Sequence, residues 1–163
     1  MDLPSNPEAT RFADQLERSY RGGAWHGPAL AEALDGVGAE AADLRPLEGS
    51  HSVREIVEHV AFWLDGARLR IEGDALDGLD PEADWPADRD GSTESWQRAL
   101  ERLEHAHRSL RAAVLALDDA DLDRPVAGSD PTLRGMLLGV LQHTAYHAGQ
   151  IRILARAAER AAR

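Results

Sequence analysis

Seven side chains, Trp96, Leu100, Leu103, His107, Leu110, Val114 and Leu117, recur at alternating spacings of four and three. That period is the seam of an α-helix packed lengthwise on other helices. The same rhythm returns in Leu133, Met136, Val140, His143, His147, Ile151 and Leu154. No sustained period-2 run bounded by turn residues competes with it, so the expected class is all-α. A hydrophobic fraction of 43% and a length of 163 residues suit one domain spanning 1–163 with a single core.

Helix punctuation divides the chain. A short extra N-terminal helix is expected over about Pro7 to Tyr20, stopped by Gly22-Gly23. A second starts with Pro28 at its first position and runs to about Asp43, with Leu30, Leu34, Val37 and Ala41 inward. Ser52-Val-Arg-Glu55 has capping-box spacing and opens a helix to about Glu72, ended by Gly73, with Ile56, Val60, Trp63 and Ala67 buried. Residues 74–91 hold six Asp, one Glu and one Arg together with Pro81 and Pro86, which reads as a solvated surface connection. Helices over about Thr93–Leu117 and Thr132–Ala161 complete the set. At 1.5 Å per residue the long helices span about 33 to 45 Å, a length that packs as a near-parallel bundle.

On the last inner stripe, His143 and His147 stand four residues apart, so their imidazoles share a helix face. Burying two imidazoles without partners costs on the order of 1 to 3 kcal/mol each, and a shared metal ion relieves both costs. A third ligand is expected from another inner stripe, and His59, beside Val60 and four residues from Trp63 and Glu55, is best placed. His107 lies on an inner seam too and is the rival ligand or a pocket residue. His105 faces elsewhere, while His26 and His51 sit at helix entrances. Three histidines without thiolate make a nitrogen-rich site with an open position, suited to zinc, nickel or iron(II).

Composition narrows the chemistry. There is no cysteine, which removes disulfides, thiolate ligands and Cys nucleophiles. All 18 basic residues are Arg, which removes Schiff-base chemistry and the Walker lysine. A net charge of −11 repels nucleic-acid backbones and anionic membranes, so neither is an expected partner. No stretch approaches the roughly 18 apolar residues of a membrane span and the N-terminus lacks a signal-peptide pattern, giving a cytoplasmic expectation.

The order His51-Ser52, His59, Trp96 and His143-x3-His147-Ala-Gly-Gln150-Ile151, with Trp25-His26-Gly27-Pro28 and Asp84-Trp85-Pro86, resembles the DinB/YfiT-like superfamily over nearly the whole chain. This family is unrelated to the translesion polymerase of similar name. The resemblance implies an up-down-down-up four-helix bundle, often a homodimer, whose histidines matching His59, His143 and His147 bind one divalent metal near one end. It also implies metal-dependent transferases that use small thiols such as bacillithiol or mycothiol, alongside members with no assigned activity.

Three functions remain in view: two enzymes acting on a small-molecule substrate, and a non-catalytic stress-related metal-binding or interaction protein. In a thiol transferase, a low-molecular-weight thiol co-substrate supplies the nucleophile that this chain lacks. In a hydrolase, water is activated and Glu55 or His107 acts as general base, although Glu55 is also the capping-box partner of Ser52. In a non-catalytic metal-binding protein, the histidines only tie helices together. Trp25, His26, Trp63, His107 and Gln150 flank the ligand stripes and are expected to wall the pocket, the tryptophans having core packing as the alternative. Metal binding is expected to weaken as pH falls through about 6.5, because the ligands must be neutral imidazoles.

Overall fold

The computed structural model describes residues 6–74, 81–86, 91–126 and 131–161, and among the described residues the regular elements are all helical. The described residues form six α-helices: α1 (Pro7–Arg21), α2 (Leu30–Leu34), α3 (Ala39–Asp43), α4 (Val53–Ile71), α5 (Thr93–Leu115) and α6 (Leu133–Ala161). Short 3-10 turns cover Pro81–Ala83 and Asp119–Asp123.

The N-terminal helix is a member of the packed body and not an appendage. Ala9, Ala13, Leu16 and Tyr20 are buried in the same core as Leu103, Leu110 and Ile151, and α1 packs on both α5 and α6. Its first N–H groups need acceptors that no helix supplies to itself. Asp119 provides them across the fold, accepting from the Glu8 and Ala9 amides at 3.0 Å each. Asn6 closes the same corner by donating from Nδ2 to the Leu115 and Leu117 carbonyls.

The single helix expected over 28–43 is instead two five-residue helices. Gly36 sits between them at φ +77°, a left-handed conformation that ends a helix and favours glycine. The break frees the Val37 carbonyl, which accepts the Trp96 indole N–H at 3.0 Å. Trp96 is fully buried, so its N–H needs such a partner, and a continuous helix would already have spent that carbonyl.

Helix α4 begins as its sequence requires. Ser52 Oγ accepts from the Glu55 amide, and the Glu55 carboxylate accepts from the Ser52 amide in return. Arg54, buried one position into the helix, donates from Nη2 to Asp43 Oδ2 at 2.8 Å and from Nη1 to Ser95 Oγ, tying α3, α4 and α5 at one end. Helix α4 packs against α5 and α6. Helices α4 and α6 run in opposite directions along their shared face. His59 meets His143 at one end, while Arg124 joins the Ile71 carbonyl to the Leu133 amide at the other.

Candidate metal centre

Three imidazoles converge where α4 faces α6. His59 Nε2 and His147 Nε2 each lie 3.0 Å from His143 Nε2. His59 and His147 are buried and His143 is half-buried. One turn of α6 places His143 and His147 on one face, and the antiparallel crossing of α4 supplies His59 from the opposite wall.

The outer nitrogens set the tautomers. His59 Nδ1 lies 2.6 Å from Asp84 Oδ1, and a carboxylate can only accept, so this nitrogen carries the ring proton. His147 Nδ1 lies 2.7 Å from Gln150 Oε1 and donates to it. Both Nε2 atoms therefore present lone pairs to His143 Nε2, and the one ring proton of His143 can bridge at most one of the two contacts. At least one of the two contacts therefore has no proton along it unless a cation lies among the rings. Two nitrogens sharing an ion at about 2.0 to 2.1 Å sit about 3.0 to 3.4 Å apart, which matches the separations observed. This donor set fits a divalent transition metal of the nitrogen-preferring class.

Burial reinforces the neutral form. His143 is pushed down to about 4 by burial and then by the neighbouring His147 and His59 rings. His147 is likewise at about 4, from burial and then His59, with the Gln150 hydrogen bond acting in the opposite sense. His59 is lowered by burial, which outweighs the raising influence of Asp84. At neutral pH the cluster is a set of ligands ready for an ion and not a cluster of charges. The pH window for proton competition accordingly lies well below the 6.5 expected for unperturbed imidazoles.

The acidic connection is more than a solvated loop. Within it, Asp84 holds the His59 ring, and Trp85 is sandwiched between His59 and His51 at ring-centroid distances of 4.0 and 3.8 Å. The flat stack fixes the His59 plane and shields one side of it from water. Asp84-Trp85-Pro86 stood out in the sequence, but six aspartates in one connection hide the one that, among the described residues, meets His59.

The residues proposed as pocket walls divide. Trp63 lines a cleft that opens on His59 and His143, and Gln150 contacts His147. Trp25 and His26 are exposed, Trp25 fully so, and are not brought to the cluster. His107 is buried elsewhere, against α1, where it stacks on Tyr20 at 4.0 Å and its Nε2 pairs with Glu17. Burial lowers His107 below the ordinary imidazole range, and the His107 hydrogen bond holds the Glu17 carboxyl low in turn. Glu55 is spent on the Ser52 amide and on Arg45, whose Nε donates to it at 3.1 Å. Neither candidate base therefore presents a free proton acceptor to the cluster.

A family model described as the DinB superfamily matches residues 24–151, more than half the chain. The chain belongs to the DinB superfamily. The match takes in α2 to α5, all three clustered histidines and Gln150, and ends at Ile151 within α6. No curated protein and no solved structure matched. Among the described residues of this DinB superfamily member, His59, His143 and His147 form the group of side chains able to hold a metal ion, and no helix is long and apolar enough to cross a membrane.

Proposed function

We propose that this DinB superfamily protein is a metal-dependent transferase that uses a small-molecule thiol. The observation that carries the reading is an open-sided site: three imidazoles converge, no fourth His or carboxylate joins them among the described residues, and a cleft reaches two of them. Structural sites are usually closed by four protein ligands, whereas catalytic sites keep a position free. A divalent ion held there would supply Lewis acidity, lowering the pKa of a thiol presented to it. This chain has no thiol of its own to compete.

The protein's residues do the remaining work. Asp84 and Gln150 hold protons at the outer nitrogens of His59 and His147, which keeps both Nε2 lone pairs pointed inward. Trp85 covers the His59 ring, and the cleft orients the second substrate. The hydrolase reading ranks below this one, because Glu55 and His107 are both engaged elsewhere. In the same proposal α1, α4, α5 and α6 are the four helices of an up-down-down-up bundle in one domain. The protein works in the cytoplasm, where small thiols stay reduced. It pairs as a homodimer through the exposed row Leu138, Tyr146 and Ile153 on α6.

Cobalt(II) substitution tests the activity. Addition of a small thiol should shift the visible spectrum of the cobalt-loaded protein, and turnover should follow with a halogenated electrophile. The double variant His143→Ala, His147→Ala should lose the bound ion and both signals. An unchanged spectrum with every small thiol, together with no turnover, would overturn the transferase reading.

A further inference from the structure

The cleft beside the histidines has a volume of about 430 Å³, within the range of small-molecule sites. Its α4 wall is a single helix face, because His59, Trp63, Ala67 and Arg70 follow one another at spacings of four, four and three. Across from it stand Met136 and Val140 of α6. The walls are apolar, so the cleft carries polarity only at its ends: imidazoles at one, a guanidinium at the other.

Arg70 is unusual in this chain. It is half-buried and its guanidinium lies over the Trp63 ring at 5.7 Å from the centroid. Among the described arginines that are not exposed, most meet a carboxylate, as Arg54 meets Asp43 and Arg134 meets Glu8, Arg152 being the other exception. Among the described residues no carboxylate pairs with Arg70. Burial disfavours its charge and no carboxylate among the described residues offsets that cost, yet a guanidinium stays protonated. On a chain of net charge −11, this is a local positive site set at the end of an apolar trough.

We propose that the cleft binds an amphiphilic carboxylate, its apolar body held between Trp63 and Met136, its anionic end paired with Arg70 and its other end reaching His59 and His143. A carboxylate suits the planar fork of arginine, and ring stacking keeps that fork oriented. The inference rests on the transferase reading only for the role of the histidine end. The Arg70 end makes a binding site whether or not the ion does chemistry. Gly139 lies in the α6 wall, where an added Cβ would meet nothing within 4 Å, so this position can be enlarged to fill the trough without a backbone clash.

The test is calorimetric titration of the metal-loaded and metal-free protein with 4-phenylbutyrate, 4-phenylbutanol and 4-phenylbutylamine. The carboxylate should bind at least about tenfold more tightly than the alcohol or the amine in both forms. Arg70→Gln should remove that preference while leaving alcohol binding and metal content unchanged, and Arg70→Lys should keep part of it. Gly139→Leu should abolish binding of all three while the protein still takes up one ion. Equal binding of carboxylate and alcohol by the wild type, no carboxylate binding at all, or an unaltered preference in Arg70→Gln would each overturn the proposal. Spectral response to thiols is read separately, so failure of the Arg70 subsite and failure of the transferase reading are told apart.

Discussion

At the scale of single residues, the site depends on which nitrogen of each ring carries the proton. Asp84 decides this for His59, and its influence reaches the inner nitrogen through the ring. Asp84→Asn keeps the shape but removes the charge, and metal affinity should fall by about 10- to 100-fold with the helical circular dichroism unchanged. A competition assay with a chromophoric chelator measures this. Burial and mutual repulsion also set the protonation state of the cluster. In the metal-free protein, NMR titration of the ring protons should place His143 and His147 near pH 4, far below the ordinary value of about 6.5. Titration of both near 6.5 would mean that the rings are not packed together as described. The i, i+4 pair can be read directly from the sequence, because helical period and chemistry coincide there, whereas His59, one residue off the Ile56, Val60, Trp63 and Ala67 stripe, is legible only as the best-placed third ligand beside its rival His107. Asp84 and Arg70 could not be so read: a carboxylate among many, and an arginine near a helix end, acquire meaning only from what the fold sets beside them.

At the scale of helices, local signals predicted starts better than continuity. The Ser52 cap and Glu55 reciprocate as their spacing predicts, since both partners lie within one turn. Ser52→Ala should lower stability by roughly 1 kcal/mol, read as a reduced denaturant midpoint with unchanged slope. In that variant the Glu55 amide loses its acceptor, while the Glu55 carboxylate keeps the backbone amide of residue 52 and Arg45, so the loss should stay within this range. The segment over 28–43 is the contrary case. Its apolar spacing is helical on both sides of Gly36, yet the tertiary demand of Trp96 for the Val37 carbonyl makes the break useful. The N-terminal end of α1 likewise depends on Asp119, more than a hundred residues away. No window of sequence contains both partners of either contact.

At the scale of the whole molecule, metal and proton act on the same equilibrium. The histidine cluster forms from two helices and a connecting segment, so it does not exist in the unfolded chain and bound metal adds to stability. At an ion concentration a hundred times Kd the gain is about 2.7 kcal/mol, equivalent to a melting temperature higher by about 5 to 11 °C for a chain of this size. Differential scanning calorimetry with and without chelator checks it. In the metal-free protein the sign with pH follows from the lowered imidazoles. Below about pH 6.5 the unfolded chain binds protons that folded His143, His147, His59 and His107 refuse, and for His143 and His147 this window extends down to about pH 4. Stability is therefore complete above about pH 6.5 and declines as pH falls through that window, so the denaturant midpoint at pH 5 should lie below that at pH 7.5. A midpoint that rises on acidification would contradict the buried, neutral histidines.

The all-helical class, the long α4, α5 and α6, the cap at Ser52 and the candidate ligand pair His143 and His147 follow from sequence alone, since helical period, capping and chelating spacing are all short-range properties of a chain, and the sequence also offers His59 as the best-placed third ligand. The tertiary structure decided the rest: that α1 belongs to the core, that α2 and α3 are separate, that Asp84 and Trp85 close over His59, and that Arg70 ends an apolar cleft. These are contacts between residues far apart in the chain. They exist only because packing several amphipathic helices around one core leaves a particular set of side chains, and no other, at the same end of the same groove.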